Sequence, residues 1–252
     1  MIKVVLLGSG NVAYHLALAM KSTNNIELVQ RYSRKNSNAQ LFDSSVPHTT
    51  NLNKIKSADI YILALKDEVI AKVCKSLKHL NGLLVHTSGA MGMDVLDSRF
   101  RRGVLYPVQS LSINQKINLK NVPFAIEADS ITDQQLLQDL ASELSDYVYE
   151  LDSDQREKLH VSAVFANNFS NFMFTCAKDL CDEHQIPFEI LRPLILETGN
   201  KIQYLTPYDA QTGPAKRHDM EVIQEHMDQL SGQQKEIYRL LSAAIGDAYK
   251  RK

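Results

Sequence analysis

Short apolar segments bounded by polar residues or glycine recur between residues 2 and 151, and most are separated by stretches of helical periodicity. They lie at residues 2–7, 26–32, 59–65, 83–86, 103–108, 122–127 and 147–151. Strands buried on both faces have such short apolar runs, and the helices that cover them carry apolar residues every three or four positions. The pattern predicts a βαβ series and therefore an α/β fold with a doubly wound, Rossmann-type sheet.

A change of pattern after residue 151 predicts a domain boundary. Asp152, Ser153 and Asp154, followed by Glu157, form a capping signal that opens a helical stretch to about His184. No strand pattern follows, and about four helices are predicted, divided by Pro187, Pro193, Gly199, a loop at 206–214 and Gly232. We expect an α/β domain over residues 1–152 and an all-α domain over 153–252. A helix of about 30 residues buries more than one face, which predicts homodimerisation through this domain.

Composition narrows the classes of partner. The 252 residues are 44% hydrophobic with a net charge of −1, so nothing directs the chain to nucleic acid or to an anionic membrane. Apolar runs fall short of the roughly 20 residues that span a bilayer, and Met1 leads directly into a strand, so we expect a cytoplasmic protein. Three cysteines and eight scattered histidines lack the spacing of a metal site. The expected partners are a small-molecule substrate and a second copy of the chain.

The junction between the first strand and the first helix predicts a dinucleotide site. Gly8 permits a tight turn, Gly10 lets the backbone approach a pyrophosphate at the helix N-terminus, and Ala13 allows close helix–strand packing. The alternative is an ordinary strand-to-helix turn. The predicted cofactor contacts are Gly8, Ser9, Gly10, Asn11 and Val12.

The end of the second predicted strand indicates which dinucleotide binds. NAD-binding versions carry an acidic residue there for the ribose hydroxyls, whereas this chain has Ser33, Arg34 and Lys35. A serine hydroxyl and a guanidinium can bind a 2′-phosphate, so we predict NADP, with a solvated basic turn as the alternative. The segment 35–54 is polar and predicts a loop with a short helix.

Polar residues follow several later strands, where open parallel sheets bind their ligands. Leu65 and Lys66 either contact the cofactor or belong to a helix start capped by Asp67. His86 and Ser88 are candidate catalytic residues at the nicotinamide end. Gln109 is a candidate cleft residue, with a structural turn as the alternative.

The helical part supplies the remaining candidates. His160, Asn167 and Asn171 fall within about 40° of one another on an α-helix and are otherwise surrounded by apolar residues, so they need partners. His160 and Asn167 are predicted to be catalytic and Asn171 to line the cleft, unless all three have structural partners. A loop carrying Thr212, Gly213 and Arg217 could bind an anionic group, and it ends at Asp219, a predicted helix cap.

The chain resembles a bacterial family of Rossmann-like NADP oxidoreductases. The motifs that carry the resemblance are G-S-G-N-V-A at 8–13, H-T-S-G-A at 86–90, Y-P-V-Q-S at 106–110, H-V-S-A-V-F-A-N-N-F at 160–169 and T-G-P-A-K-R-H-D at 212–219. That family is similar in architecture to pyrroline-5-carboxylate reductase and ketopantoate reductase. Its pattern has histidine at the position of Tyr106 and glycine at that of His218, so the resemblance gives these two residues no shared role.

The resemblance implies NADPH-dependent reduction of a C=N or C=O bond. Hydroxyacid dehydrogenases of similar fold place a lysine four residues before an asparagine on the long helix, but Ala163 and Val164 stand four residues before Asn167 and Asn168. Hydroxyacid oxidation is therefore disfavoured, and His160 or His86 is the expected proton donor. The alternative is a sensor that binds NADP without chemistry, which fold alone does not exclude.

Overall fold

A computed structural model describes residues 1–35, 39–77 and 80–250 of the chain. Part of the predicted loop at 35–54, residues 36–38, lies outside the described residues, as do the last two residues of the predicted helical domain. The chain divides into two compact units, Met1–Asn168 and Phe169–Lys252. The first unit contains the whole sheet and the second is helical, whereas the boundary expected at residue 152 stays a prediction.

The first unit is built on one eight-stranded sheet. Its strands are β1 (Ile2–Leu7), β2 (Ile26–Tyr32), β3 (His48–Thr49), β4 (Ile60–Leu63), β5 (Leu83–His86), β6 (Arg102–Pro107), β7 (Phe124–Ala128) and β8 (Val148–Glu150). They lie in the order β3-β2-β1-β4-β5-β6-β7-β8, and every neighbouring pair is parallel except β6 and β7. This confirms the predicted Rossmann-type sheet.

Helices cover both faces of this sheet, which explains why its central strands are almost entirely apolar. The helices of the first unit are α1 (Asn11–Lys21), α2 (Asp67–Ser76), α3 (Ile131–Leu144) and α4 (Ser153–Ala163). All four residues of β4 and of β5 are buried. One hydrophobic cluster lies between the sheet and helices α1 and α3, and the other lies on the opposite face beneath α2. The carboxyl ends of β1, β2, β4 and β5 thus lie along one edge, where ligands bind in such sheets.

Three local predictions about the first unit were wrong. The segment after β2 contains the additional strand β3, besides short 3₁₀ turns at Ala39–Leu41 and Leu52–Lys54. Strand β7 is antiparallel to β6, and the loop at 108–123 that joins them contains one 3₁₀ turn but not the α-helix that usually forms a parallel crossover. Asp67 is the first residue of α2 rather than its cap, since Lys66 occupies the N-cap position.

The predicted helical stretch from 153 to about 184 is confirmed, with one change of geometry. Asp152 caps α4 through a capping box whose partner is Gln155, not the predicted Glu157. Residues Val164–Phe169 form a π-helical segment, and α5 (Ser170–Glu183) follows. Such segments are rare within α-helices and are frequent at functional sites.

The remaining helices of the second unit are α6 (Arg192–Lys201), α7 (Pro207–Ala210), α8 (Pro214–Arg217), α9 (Met220–Gln229) and α10 (Gly232–Lys250). Gly199 lies inside α6 and does not divide helices, and the predicted loop at 206–214 contains α7. Asp219 caps α9 as predicted, because its carboxylate accepts a hydrogen bond from Val222 N at 3.3 Å. No helix in the described ranges is both long and apolar enough to cross a membrane.

Candidate functional site

A cavity of about 670 Å³ opens beyond the carboxyl ends of β1, β2 and β4. It is lined by Gly8, Ser9, Gly10, Tyr32, Ser33, Arg34, Lys35, Ala64, Leu65, Lys66, Val69 and Val73. Three of these residues are cationic, and none of the described lining residues is a carboxylate. The cavity therefore combines a positive rim with an apolar floor, as a dinucleotide with several phosphates requires.

The backbone of the glycine turn fits a pyrophosphate. Gly8 has a φ of 145°, and a Cβ atom there would overlap the carbonyl oxygen of Ala64, so only glycine fits the turn. A Cβ atom on Gly10 would meet nothing within 4 Å, which leaves space for a ligand beside the backbone. Gly10 is also the N-cap of α1 and supplies no side-chain cap, so the helix N-terminus can bind an anion. The residues present thus fit NADP.

Asn11 and Val12, predicted to contact the cofactor, do not line this cavity in the described part of the chain. Asn11 is exposed, and its side-chain oxygen accepts a hydrogen bond from Ile113 N at 3.4 Å. That bond joins the start of α1 to the loop between β6 and β7. His15, one turn further, strengthens the same connection through Nε2, which lies 2.9 Å from Ser112 O.

The basic turn after β2 contains one residue that supports the turn and two that face solvent. Ser33 is buried and donates its hydroxyl hydrogen to Lys35 O at 2.6 Å. Because that hydrogen is used, the 2.9 Å contact with His48 Nε2 requires the histidine to donate. Burial first and the charge of Arg31 second lower the pKa of His48, which keeps this ring neutral. Ser33 thus holds the turn, and the exposed Arg34 and Lys35 are the groups available to a phosphate.

The loop after β5 is a rigid platform held by the two residues predicted to be catalytic. His86 Nδ1 accepts a hydrogen bond from Ser88 N at 3.2 Å, and Ser88 Oγ accepts from Ala90 N and Met91 N at 3.2 and 3.1 Å. His86 is fully buried, and burial followed by the charge of Arg156 lowers its pKa to about 4. A buried neutral imidazole with no solvent access is poorly suited to protonate a substrate, so the geometry disfavours His86 as the proton donor, and its catalytic role stays a prediction.

Arg156 anchors the same loop to α4, and sequence reasoning did not find it. Its guanidinium is 1% exposed, forms an ion pair with Glu127 of β7, and donates to Met91 O at 2.7 Å. It also donates to Ser153 Oγ at 3.1 Å, and Ser153 Oγ accepts from Met93 N at 3.0 Å. Helical spacing could have identified Arg156 from the sequence, because residues 153, 156 and 160 share one face of α4.

His160 and Tyr106 meet above this loop. Tyr106 Oη lies 3.2 Å from His160 Nδ1, and the two rings pack edge to face with centroids 6.1 Å apart. A Cβ atom on Gly89 would lie 2.6 Å from Tyr106 Cζ and 2.8 Å from His160 Nδ1, so any larger residue there would displace one of the two rings. Both side chains are half-buried, and burial raises the pKa of the Tyr106 phenol. The polar residues after β6 indicated a possible site near Tyr106. Tyr106 itself was not among the predicted site residues, because the family that the chain resembles has histidine at this position.

The other candidates of the first unit do not join this pair. Gln109 is exposed, and its side-chain oxygen accepts a hydrogen bond from Ser110 N at 2.8 Å. Asn167 lies in the π-helical segment and is exposed, so the apolar residues near it in sequence do not enclose it in the single chain. The neighbouring apolar side chains are exposed too, with Val161 at 50% and Phe165 at 64%. The prediction that His160, Asn167 and Asn171 share one face assumed a rotation of 100° per residue throughout the helix. The π-helical segment has a different rotation per residue, so that assumption does not hold.

The candidates of the second unit lie on helix α5 and around the short helix α8. Asn171 is exposed on α5. Gly213, with a φ of 106°, is the N-cap of α8, Thr212 precedes it, and Arg217 ends α8 with an exposed side chain. His218 follows in the left-handed conformation, so the path of this loop is fixed by two residues with positive φ.

Two family descriptions match the chain. Residues 3–87 match the family described as NADP oxidoreductase coenzyme F420-dependent, and residues 122–245 match the domain of unknown function DUF2520. No curated protein matches the sequence significantly.

Solved structures of similar fold cover nearly the whole chain. A "putative NADP oxidoreductase" of Bacteroides fragilis is 38% identical over 98% of each chain, with a TM-score of 0.86. A 1-pyrroline-5-carboxylate reductase of Streptococcus pyogenes is 16% identical over 99% of this chain and 96% of the other, with a TM-score of 0.65. The NADP-bound pyrroline carboxylate reductase of Plasmodium falciparum is 14% identical over 97% and 98%, with a TM-score of 0.63. The last two show likeness of fold alone.

Proposed function

Because the chain belongs to the family of NADP oxidoreductases that joins a Rossmann-type domain to a DUF2520 domain, we propose that it is an NADPH-dependent reductase of small metabolites. It transfers a hydride to a C=N or C=O bond. The observation that carries this proposal is the pairing of a cationic dinucleotide cavity with the His160–Tyr106 pair in the same unit. The pyrroline-5-carboxylate reductases of similar fold make a cyclic imine acid the first substrate class to test.

In this mechanism the bound NADPH supplies the hydride, and the chain's own residues orient the cofactor and deliver a proton. The glycine turn and the N-terminus of α1 bind the pyrophosphate, and Arg34 and Lys35 bind the 2′-phosphate. Leu65 and Lys66 contact the cofactor from the end of β4. His160 protonates the heteroatom of the substrate, and Asn167 orients the substrate from the π-helical segment. Gln109, Asn171, Thr212 and Arg217 remain predicted cleft residues.

A turnover assay tests the proposal. NADPH oxidation is followed at saturating cofactor with 1-pyrroline-5-carboxylate and a panel of 2-oxo acids and aldehydes. We expect turnover with at least one compound, a loss of about 100-fold in kcat for His160→Ala and of at least about tenfold for Asn167→Ala, because each removes a group that acts in the transition state. The Kd for NADPH should change by less than about twofold in both.

His184→Ala is the matched control, since this exposed histidine lies at the end of α5 and should leave kcat unchanged. Wild-type rates in both site variants would remove the proposed site. Tight NADPH binding without oxidation by any compound in the panel would favour a sensor over an enzyme.

Cofactor preference is tested at Arg34. Arg34→Asp should raise the Kd for NADPH about 100-fold, because a charge-assisted contact worth about 1.5–3 kcal/mol is replaced by repulsion. NADH lacks the 2′-phosphate, so its Kd should change by less than about threefold. Lys72→Asp, on an exposed position of α2 outside the cavity, controls for net charge. An unchanged ratio of the two Kd values in Arg34→Asp would exclude Arg34 as the 2′-phosphate ligand.

The proposal includes a homodimer formed through the helical part of the chain. Large apolar side chains of the second unit are exposed in the single chain, among them Ile190 at 65%, Leu194 at 61% and Tyr204 at 70%. Exposed apolar surface of this kind is typical of an interface. The mass of the protein in solution, measured by light scattering, tests whether the homodimer forms. The cytoplasmic location stays a prediction.

A further inference from the structure

We propose that Tyr106 and His160 form a two-member proton relay in which Tyr106 restores the proton that His160 gives to the substrate. The relay rests on the proposed reductase function and assigns a role to a residue that the sequence left without one. Three observations carry it: the short contact between the phenol and the imidazole, the unused second ring nitrogen, and the glycine that makes room for the pair.

The hydrogen-bond partners of Tyr106 and His160 favour one direction for the bond between them. Within the described ranges, the Tyr106 hydroxyl has one partner, His160 Nδ1 at 3.2 Å. A half-buried phenol that donates to this nitrogen satisfies its only hydrogen, whereas an imidazole that donates to the phenol leaves that hydrogen without a protein acceptor. In the relay Tyr106 is the donor, so the ring proton of His160 sits on Nε2.

Nε2 is then the atom that can reach a ligand. In the part of the chain that the structure describes, no protein group bonds to it, and the side chain of His160 is half-buried rather than enclosed. Gly89 approaches the pair closely from below, since even one added carbon would lie 2.8 Å from Nδ1 and 2.6 Å from the tyrosine ring. The two rings are thus in contact with each other and with the loop before any ligand arrives, which favours proton delivery.

As the hydride of NADPH forms a new bond to the substrate carbon, the substrate nitrogen or oxygen takes the proton from His160 Nε2. Nδ1 takes the proton of the Tyr106 hydroxyl, so the imidazole stays neutral and a phenolate remains. Water then returns a proton to the phenolate. A neutral histidine cannot readily give up its only ring proton without such a partner, so Tyr106 makes the neutral ring a competent acid.

Tyr106→Phe tests the relay because it removes the hydroxyl and keeps the ring that packs on Gly89. With the substrate found in the turnover assay, we expect kcat to fall at least about tenfold while the Kd for NADPH stays within about twofold. Nitrogen NMR of the imidazole should show His160 Nδ1 as a hydrogen-bond acceptor in the wild type and a shifted Nδ1 signal in the variant. Tyr149→Phe, on an exposed position of β8, should change neither measurement.

Tyr106→Phe with wild-type kcat, or with an unshifted Nδ1 signal, would overturn the relay while the proposed function stands. A fall in kcat together with the shifted signal supports it, because the chemical step and the hydrogen bond at Nδ1 then both depend on the Tyr106 hydroxyl. Absence of turnover in the wild type with every compound overturns the proposed function and the relay together.

Discussion

Gly8→Ala should abolish measurable NADPH binding and lower the free energy of unfolding by about 2–4 kcal/mol. Gly8 has a φ of 145°, which an L-residue with a side chain adopts only with strain, and its Cβ atom would overlap the carbonyl oxygen of Ala64. Ala64 follows β4 and lines the same cavity, so the clash either reshapes the turn or displaces the end of β4. Both changes remove the pyrophosphate cradle. Denaturant unfolding and isothermal titration with NADPH measure the two effects.

Gly10→Ala is the matched variant, because it separates an effect on folding stability from an effect on cofactor binding. Gly10 has an ordinary φ of −86° and open space around its Cα, so alanine should leave the free energy of unfolding within about 0.5 kcal/mol of wild type. The added methyl group would occupy the space where the backbone meets the pyrophosphate, so NADPH affinity should still fall. If both alanine variants bound NADPH normally, the cavity would not be the cofactor site.

The sequence predicted the fold well because burial on both sides of a parallel sheet gives a signal in every strand. β1, β4 and β5 are apolar except for Lys3 and His86, and the glycine turn after β1 follows from one steric requirement. The antiparallel pairing of β7 was missed for a physical reason: its composition does not differ from that of a parallel strand. The difference lies in the connection at 108–123, which is long enough for either pairing but contains no α-helix.

The site was predicted less completely because its geometry depends on contacts between residues far apart in the chain. Tyr106 and His160 are 54 positions apart, and only the packing of α4 beside β6 brings them together. Ser88 and His86 were predicted to be catalytic, and the structure shows their side chains in hydrogen bonds that hold the loop from within. A polar residue at a strand end can bind a ligand or support the residue that does, and the sequence pattern is the same in both cases.

Arg156→Ala should lower the free energy of unfolding by about 3–5 kcal/mol, the usual cost of removing one partner of a buried ion pair. The guanidinium is 1% exposed and Glu127 is 16% exposed, so the variant leaves a largely desolvated carboxylate without its counter-charge. It also removes the donor to Met91 O and so loosens the loop that carries Gly89 beneath the His160–Tyr106 pair. We therefore expect kcat to fall together with stability, as measured by urea unfolding and the turnover assay.

Two comparisons make the Arg156 result specific. Arg239→Ala breaks an exposed pair with Glu236 on α10, and its free energy of unfolding should stay within about 0.5 kcal/mol of wild type. The double variant Arg156→Met with Glu127→Gln removes both charges, so it should be more stable than Arg156→Ala because no buried charge is left unpaired. A loss below about 1 kcal/mol in Arg156→Ala would show that solvent reaches Glu127 and that the loop is held by other contacts.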